Sequence, residues 1–235
     1  MHDIGQAFAL AFDLILTWNA KLLDIVGLSL QVSLVALTLA CLIGLPIGAV
    51  LAIARFPGRD IVLVFLNALM GLPPVVVGLL VYMHLSAAGP LGFLRLLYTP
   101  TAMIIAQIIL VAPIVAALSR QVLEDLHSEY AEQFRSLSVS TLTCMATLIR
   151  DARFSLLTVA LAGFGRGIAE VGAVMIVGGN IDNLTRVMTT AIALETSKGD
   201  LPLALALGMI LLAIALGVNG LVMALKLSAQ RHAYA

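Results

Sequence analysis

Apolar residues fill this chain in long blocks. Residues 28–54 form an apolar run without a single charge, Gln31 being its most polar member. Further runs cover 61–85, 100–123, 154–179 and 203–226. About 20 apolar residues are enough for an α-helix to cross a hydrocarbon core roughly 30 Å thick. The pattern therefore predicts an all-α integral membrane protein with about five transmembrane helices. Proline interrupts three of the runs. Pro46 lies between Gly44 and Gly48, Pro113 lies inside the third run, and Gly71-Leu72-Pro73-Pro74 falls near the middle of the second. Each proline removes a helix hydrogen bond and predicts a kink, and in a membrane the freed carbonyl needs a neighbour or a wet cavity. The kink at 71–74 has two readings, a packing device or a bend that shapes a pathway.

Outside the runs the spacing changes. Residues 4–25 mix apolar positions with Gln6, Asp13, Asn19, Lys21 and Asp24, which predicts an interfacial amphipathic helix with Trp18 at headgroup depth. Residues 1–25 thus form an amino-terminal segment, 26–226 a transmembrane domain, and 227–235 a polar tail with Arg231 and His232. The longest polar passage is 124–153. Within it Tyr130, Phe134, Leu137, Leu142, Met145, Leu148 and Ile149 recur at intervals of mostly three and four, which predicts short amphipathic helices. Glu132 heads one of these, Ser138-Val139-Ser140 breaks it, and either serine can cap the next. Such a helix-turn-helix offers an anchor, Phe134 or Leu137, to a groove on another protein. The alternative is a hairpin lying on lipid headgroups.

Composition supports this reading and narrows the function. The chain is 61% hydrophobic and 11% charged, with mean hydropathy +1.09. Thirteen basic residues balance thirteen acidic ones, so no basic face for nucleic acid is expected. Cys41 and Cys144 fall in an apolar run and in the polar passage, and read as unpaired thiols. Met1-His2-Asp3 lacks the basic start of a signal peptide. If the first turn, the long polar passage and the tail share a side, that side holds Arg55, Arg59, Arg120, Arg135, Arg150, Arg153, Lys226 and Arg231. The other side holds Lys21, Arg95, Arg186 and Lys198. Positive charge concentrates on cytoplasmic loops, so the polar passage and the C-terminus are expected in the cytoplasm and the N-terminus outside.

Two charges lie inside the fourth run. Arg166 and Glu170 are four residues apart and share a helix face. Groups this deep are costly unless paired or wet. They form either a structural ion pair or, if Glu170 leaves Arg166 incompletely neutralised, a station for an oxyanion. Gly163, Gly165, Gly167 and Gly172 surround them and predict close helix packing, as at a dimer interface. His84 has no second ligand at metal-binding spacing. No Gly-rich phosphate loop ending in Gly-Lys-Ser/Thr is present, so the chain is not expected to hydrolyse ATP itself. A self-contained channel or secondary transporter would call for more intramembrane charge or an inverted repeat. An intramembrane enzyme would call for a catalytic set that the sequence lacks.

At the polar passage the chain resembles the permease subunits of ABC importers. The matching frame is Glu132-Gln133-Phe134, Ser138 and Leu148-Ile149-Arg150-Asp151. It departs from the family pattern where Gln133 and Phe134 replace two alanines, Ser138 a glycine and Asp151 a proline. The stretches 162–181 and 185–200, containing Gly163-Phe164-Gly165-Arg166-Gly167-Ile168-Ala169-Glu170 and Thr185-Arg186-Val187-Met188-Thr189-Thr190, resemble the molybdate, sulfate and tungstate branch. They are most similar to its tungstate permeases. The resemblance implies a type I importer transmembrane domain working as a pair of copies in a plasma (inner) membrane. It further implies a separate ATPase carrying ATP and Mg, and a periplasmic or lipid-anchored oxyanion-binding protein, with membrane lipid around the whole. On this view 132–143 is a coupling helix that meets the ATPase through Glu132, Gln133, Phe134, Arg135, Leu137, Ser138 and Ser140. Arg166, Glu170, Gly163 and Gly167 become pathway or gate candidates, and Arg186 and Lys198 binding-protein contacts. No cofactor is expected in this chain.

Overall fold

The computed structural model describes residues 4–17 and 19–233, with side chains to position 224. Trp18, residues 1–3, and the side chains of Lys226, Arg231 and His232 lie outside the described residues. The described residues are helical, without a strand. In chain order the α-helices are α1 (Ile4–Leu16), α2 (Ala20–Ile53), α3 (Arg59–Met70), α4 (Pro74–Leu85) and α5 (Pro100–Ser136). They continue as α6 (Thr141–Asp151), α7 (Arg153–Ile168), α8 (Gly172–Gly178), α9 (Met188–Lys198) and α10 (Leu201–Ala233). Three helices, α2, α5 and α10, are individually long and apolar enough to cross a membrane. The number of candidate spans among the described residues rises to as many as five if each of the bent pairs α3–α4 and α7–α8 counts as one span.

The pair α2 and α5 is the spine. At 34 and 37 residues they are about 51 and 55 Å long, well beyond a 30 Å hydrocarbon core. Close approach depends on two glycines. A Cβ on Gly44 would come within 2.9 Å of the Ala112 carbonyl, and one on Gly48 within 2.7 Å of the Ala116 carbonyl. Against this crossing pack Ala40, Val111, Val115 and Val159. Toward the α4–α8 side, Val32, Val77, Val81, Met103, Leu110, Val174 and Val177 form a second core. A third joins α1, α7, α9 and α10 through Ala11, Phe164, Ile168, Ala191 and Leu207.

The structure redraws several boundaries. The first span begins at Ala20 rather than 28, because Asn19 caps it by accepting from the Lys21 amide at 3.1 Å. Lys21 and Asp24, which read as interruptions, sit on its exposed side while Leu22 and Ile25 are buried. Residues 4–16 are a separate helix whose outward stripe, Phe8, Phe12 and Leu16, is apolar rather than polar. α2 continues unbroken through Pro46. At Gly71–Pro73 the expected kink is a 97° bend between two helices of twelve residues. At about 18 Å each, neither crosses a membrane alone. The helix of the third span does not end at Leu123 but continues beyond the apolar run. Val122, Leu126, Tyr130 and Phe134 keep an apolar face on a packed cluster, and α5 persists to Ser136. Likewise α10 runs through the residues assigned to the tail, as far as Ala233.

Candidate functional site

The polar passage folds as one stiff hairpin. The last turns of α5 pack against α6 through Leu123, Cys144, Leu148, Ala152 and Leu156, together with Ala49 and Ala52 of α2. Phe134 belongs to this inner surface: Tyr130 meets its ring edge-on at 5.9 Å and His127 stacks on it at 6.2 Å. Its ring is thus half-buried in this surface and lines the groove beside it, and it does not stand outward at the tip. Leu137 is 74% exposed and Leu142 is 79% exposed, so these two are the apolar side chains that stand outward at the tip. Leu142 carried no distinguishing signal in the sequence beyond its apolar spacing. Glu132, Gln133 and Arg135 are exposed on the final turns of α5, so Glu132 heads no new helix.

The turn itself is sharp. Ser138 has a φ of +48°, the left-handed region where glycine is at ease and other residues are strained. Its neighbour Ser140 is the cap: the hydroxyl oxygen accepts from the Thr143 amide at 3.2 Å. Burial pushes the Cys144 thiol up from its ordinary pKa, and His127 Nδ1 lies 3.6 Å from its sulfur. The Asp151 carboxylate beside Tyr130 raises the pKa of that phenol. Where the hairpin meets the bundle, Glu124 binds two guanidinium groups, Arg59 at 2.7 Å and Arg120 one turn earlier on α5. Arg59 Nε also donates to the Leu51 carbonyl at 2.9 Å, so Arg59 and Glu124 together tie the end of α2 and the start of α3 to α5.

The second candidate region is the fourth span, which breaks at residues 169–171 with a 57° bend between α7 and α8. Glu170 sits at the break, 3% exposed. One carboxylate oxygen takes Arg166, and the other accepts from the Ala173 amide at 3.1 Å. Its backbone carbonyl accepts from the Thr189 hydroxyl at 2.7 Å, which fastens the break to α9. The ion pair is real, and Glu170 also orders the start of α8. Arg166 is not sealed in, since a third of its side chain is exposed.

Around the break the glycines divide by role. A Cβ on Gly163 would press on Leu37, Val111 and Val115 at 3.1–3.2 Å, and one on Gly172 on Val75 at 2.9 Å. Both are crowded by neighbours within the chain itself. Gly167 presents its carbonyl to Gln107 Nε2 at 3.0 Å, and Gly165 faces open space. Gln107, buried on α5 with its Oε1 unpartnered, went unnoticed in the sequence. So did Ser29, whose hydroxyl oxygen accepts from the Met188 amide at 2.7 Å and holds α9 against α2. Both are uncharged polar residues in apolar runs, the weaker form of the signal that singled out Arg166.

The segment between α8 and α9 ties itself down. Thr185, fully buried, donates to the Gly178 carbonyl at 2.6 Å and accepts from the Ile181 amide at 3.0 Å. Arg186 pairs with Asp182 at 2.8 Å, and Lys198 with the buried Glu195 at 3.1 Å. Each proposed binding-protein contact thus has a carboxylate partner, Asp182 being shared with Lys21 at 3.9 Å, and this reduces the charge it offers to an acidic partner. Among the described residues no group of histidine, cysteine, aspartate and glutamate could hold a metal ion.

A helical bundle with an ion pair on a buried glutamate at a broken span, and a packed hairpin at the end of its long helices, fits a membrane transport component. The chain belongs to the family of binding-protein-dependent transport system inner membrane components, matched over residues 44–228. It is 40% identical to the tungstate uptake system permease protein TupB of Peptoclostridium acidaminophilum over 96% of this chain and 99% of the relative. It is 41% identical to a probable anion ABC transporter permease protein of Haloferax volcanii, over 91% and 93% of the two chains. The TupB of Campylobacter jejuni is 38% identical over 73% of this chain and 72% of its own.

Proposed function

We propose that the chain is the permease subunit of an ATP-driven oxyanion importer and that the oxyanion is tungstate. The observation that carries the transport reading is the coupling hairpin, a packed unit with Leu137 and Leu142 exposed at its tip. The near-complete alignment with a tungstate uptake permease supports the choice of anion. Two copies form the pathway, each hairpin meets an ATPase subunit that binds ATP and Mg, and an external binding protein delivers the anion. The hairpin, which carries Arg135, Arg150 and Arg153 and adjoins Arg55, Arg59 and Arg120, faces the cytoplasm.

Motion at the hairpin has a covalent route inward. α5 runs without a break from Ser136 back to Pro100. Along it Gln107 grips Gly167 at the bent span, and beyond its far end the Tyr98 amide donates to the Val177 carbonyl of α8 at 2.9 Å. Closure of the ATPase pair would displace the hairpins, and α5 would pass the displacement to the α7–α8 break. There Arg166, partly exposed beside a buried partner, is the cation nearest to an anion in transit. The chain contributes a conformational equilibrium that its partners bias.

Reconstituted vesicles holding this chain, its ATPase and the binding protein test the proposal. Tungstate should accumulate only with ATP, and sulfate in excess should leave that uptake intact. Uptake driven by an ion gradient in ATP-depleted vesicles would overturn the importer reading, while preferential sulfate or molybdate uptake would overturn only the anion.

A further inference from the structure

Arginines from two separate stretches, the turn between α2 and α3 and the last turns of α5, converge behind the hairpin, and two of them make no ion pair among the described residues. A cavity of about 440 Å³ between the end of α2 and the last turns of α5 is lined by Arg55, Arg59, Glu124, His127 and Arg135. It adjoins a groove of about 620 Å³ toward α6, which shares Arg55, His127 and Arg135. The one carboxylate in these walls, Glu124, is already held by Arg59 and Arg120. Arg55 and Arg135 make no ion pair among the described residues. Arg135 has only a 3.3 Å bond from Nε to the Ala131 carbonyl one turn back. Unneutralised guanidinium groups on a shared cavity wall suit a phosphate or another tetrahedral oxyanion, which accepts from both.

The position of the cavity identifies the source. Arg55 and Arg59 also line a shallow depression with Phe56 and Ile61 that leads onto α3; Asp60 stands in that same wall. α3 then presents Ile61, Val64 and Phe65, all 65–75% exposed, as a continuous apolar strip. A cationic cavity opening onto an apolar helix face matches the two halves of an anionic phospholipid. We propose that this cavity holds the phosphate of an anionic lipid headgroup between Arg55 and Arg135, with the acyl chains along α3. The lipid fills the angle between the bent second span and the hairpin, so it braces the joint through which the hairpin moves. The site requires only that the chain resides in a membrane, and it stands or falls independently of the transported anion.

The test uses the full chain in phosphatidylcholine nanodiscs with and without phosphatidylglycerol, with bound lipid counted by native mass spectrometry. Each surface cation near a membrane contributes about fivefold in affinity for an anionic lipid, so Arg55→Gln with Arg135→Gln should weaken phosphatidylglycerol retention on the order of thirtyfold. Arg95→Gln, in the loop before α5, should change nothing. Unaltered retention by a double variant that melts like the wild type in lipid-free detergent would overturn the site. Should the double variant fold poorly, Arg55→Gln alone should still lose about fivefold, and no loss there overturns it equally. Inorganic phosphate binding to the lipid-free chain with the same arginine dependence would overturn the lipid as the source. Release of phosphatidylglycerol on adding the ATPase subunit would assign the cavity to protein docking instead.

Discussion

Replacing Leu137 and Leu142 with aspartate separates the hairpin's own stability from its grip on a partner. Both side chains are about three-quarters exposed and pack against nothing essential, so the folded chain should change by about 0.5 kcal/mol or less. In a docked complex the same side chains would be buried. Moving the remaining exposed area of each leucine out of water contributes about 1.5 kcal/mol, hence about 3 kcal/mol together. That corresponds to a loss of roughly 150-fold in affinity for the ATPase, and two carboxylates forced into an apolar cleft would deepen it. The measurement is a titration of labelled ATPase subunit against the solubilised chain, alongside its thermal midpoint and uptake in vesicles. Phe134→Ala provides the contrast. It removes a half-buried ring from the hairpin's packed surface and should destabilise the hairpin by about 2 kcal/mol or more. If the double aspartate variant melts like the wild type and binds the ATPase with unchanged affinity, Leu137 and Leu142 are not the docking anchors.

Other expectations follow from the bent span and the turn. Arg166→Ala leaves Glu170 buried beside only the Ala173 amide, and should cost about 3 kcal/mol; Arg166→Lys should recover much of the stability. A lysine variant that folds normally yet has reduced tungstate uptake would mark the guanidinium as part of the pathway, and unchanged uptake would leave it structural. Gln107→Leu removes both a hydrogen bond and an orphaned oxygen, so its stability effect should stay within about 1 kcal/mol. ATP hydrolysis that continues without matched uptake would then expose the lost α5–α7 link, whereas normal coupling would refute the route along α5. Ser138→Gly should stabilise the hairpin by about 0.5–1 kcal/mol by relieving the positive φ, visible as a higher melting midpoint. Cys144, buried and with its pKa raised, should be alkylated at pH 8 far more slowly than a free thiol; prompt modification of the folded chain would show that the hairpin opens readily.

Much of the bundle was legible because a membrane leaves few options. Apolar runs of spanning length must be helices, and Gly44, Gly48, Gly163 and Gly172 marked where helices approach closely. The Arg166–Glu170 pair was legible for the same reason, since two intramembrane charges one turn apart have nowhere better to go. Boundaries were less legible. Local polarity argued for ending the helix of the third span at Leu123, but the apolar positions of 122–134 find a cluster contributed by α2 and α6, and burial carries the helix to Ser136. The difference between Phe134 and Leu137 was also hidden. Both fit one helical spacing, and only the docking of α6 decides that the first faces inward and the second outward.

The helical class, the apolar runs able to span, a polar hairpin broken at residues 138–140 and a charge pair one turn apart could all be read from the chain alone, since each follows from local spacing or from the cost of a polar group in lipid. What depends on segments distant in the chain had to wait for the packing. Gln107 and Gly167 are 60 residues apart, Ser29 and Met188 are 159 apart, and the arginines at 55 and 135 line one cavity only because α2 packs along α5. No pattern within one helix encodes such meetings. They are set by the glycine-permitted crossing of the two long helices and by the bends at residues 71–73 and 169–171, which carry the remaining elements around it.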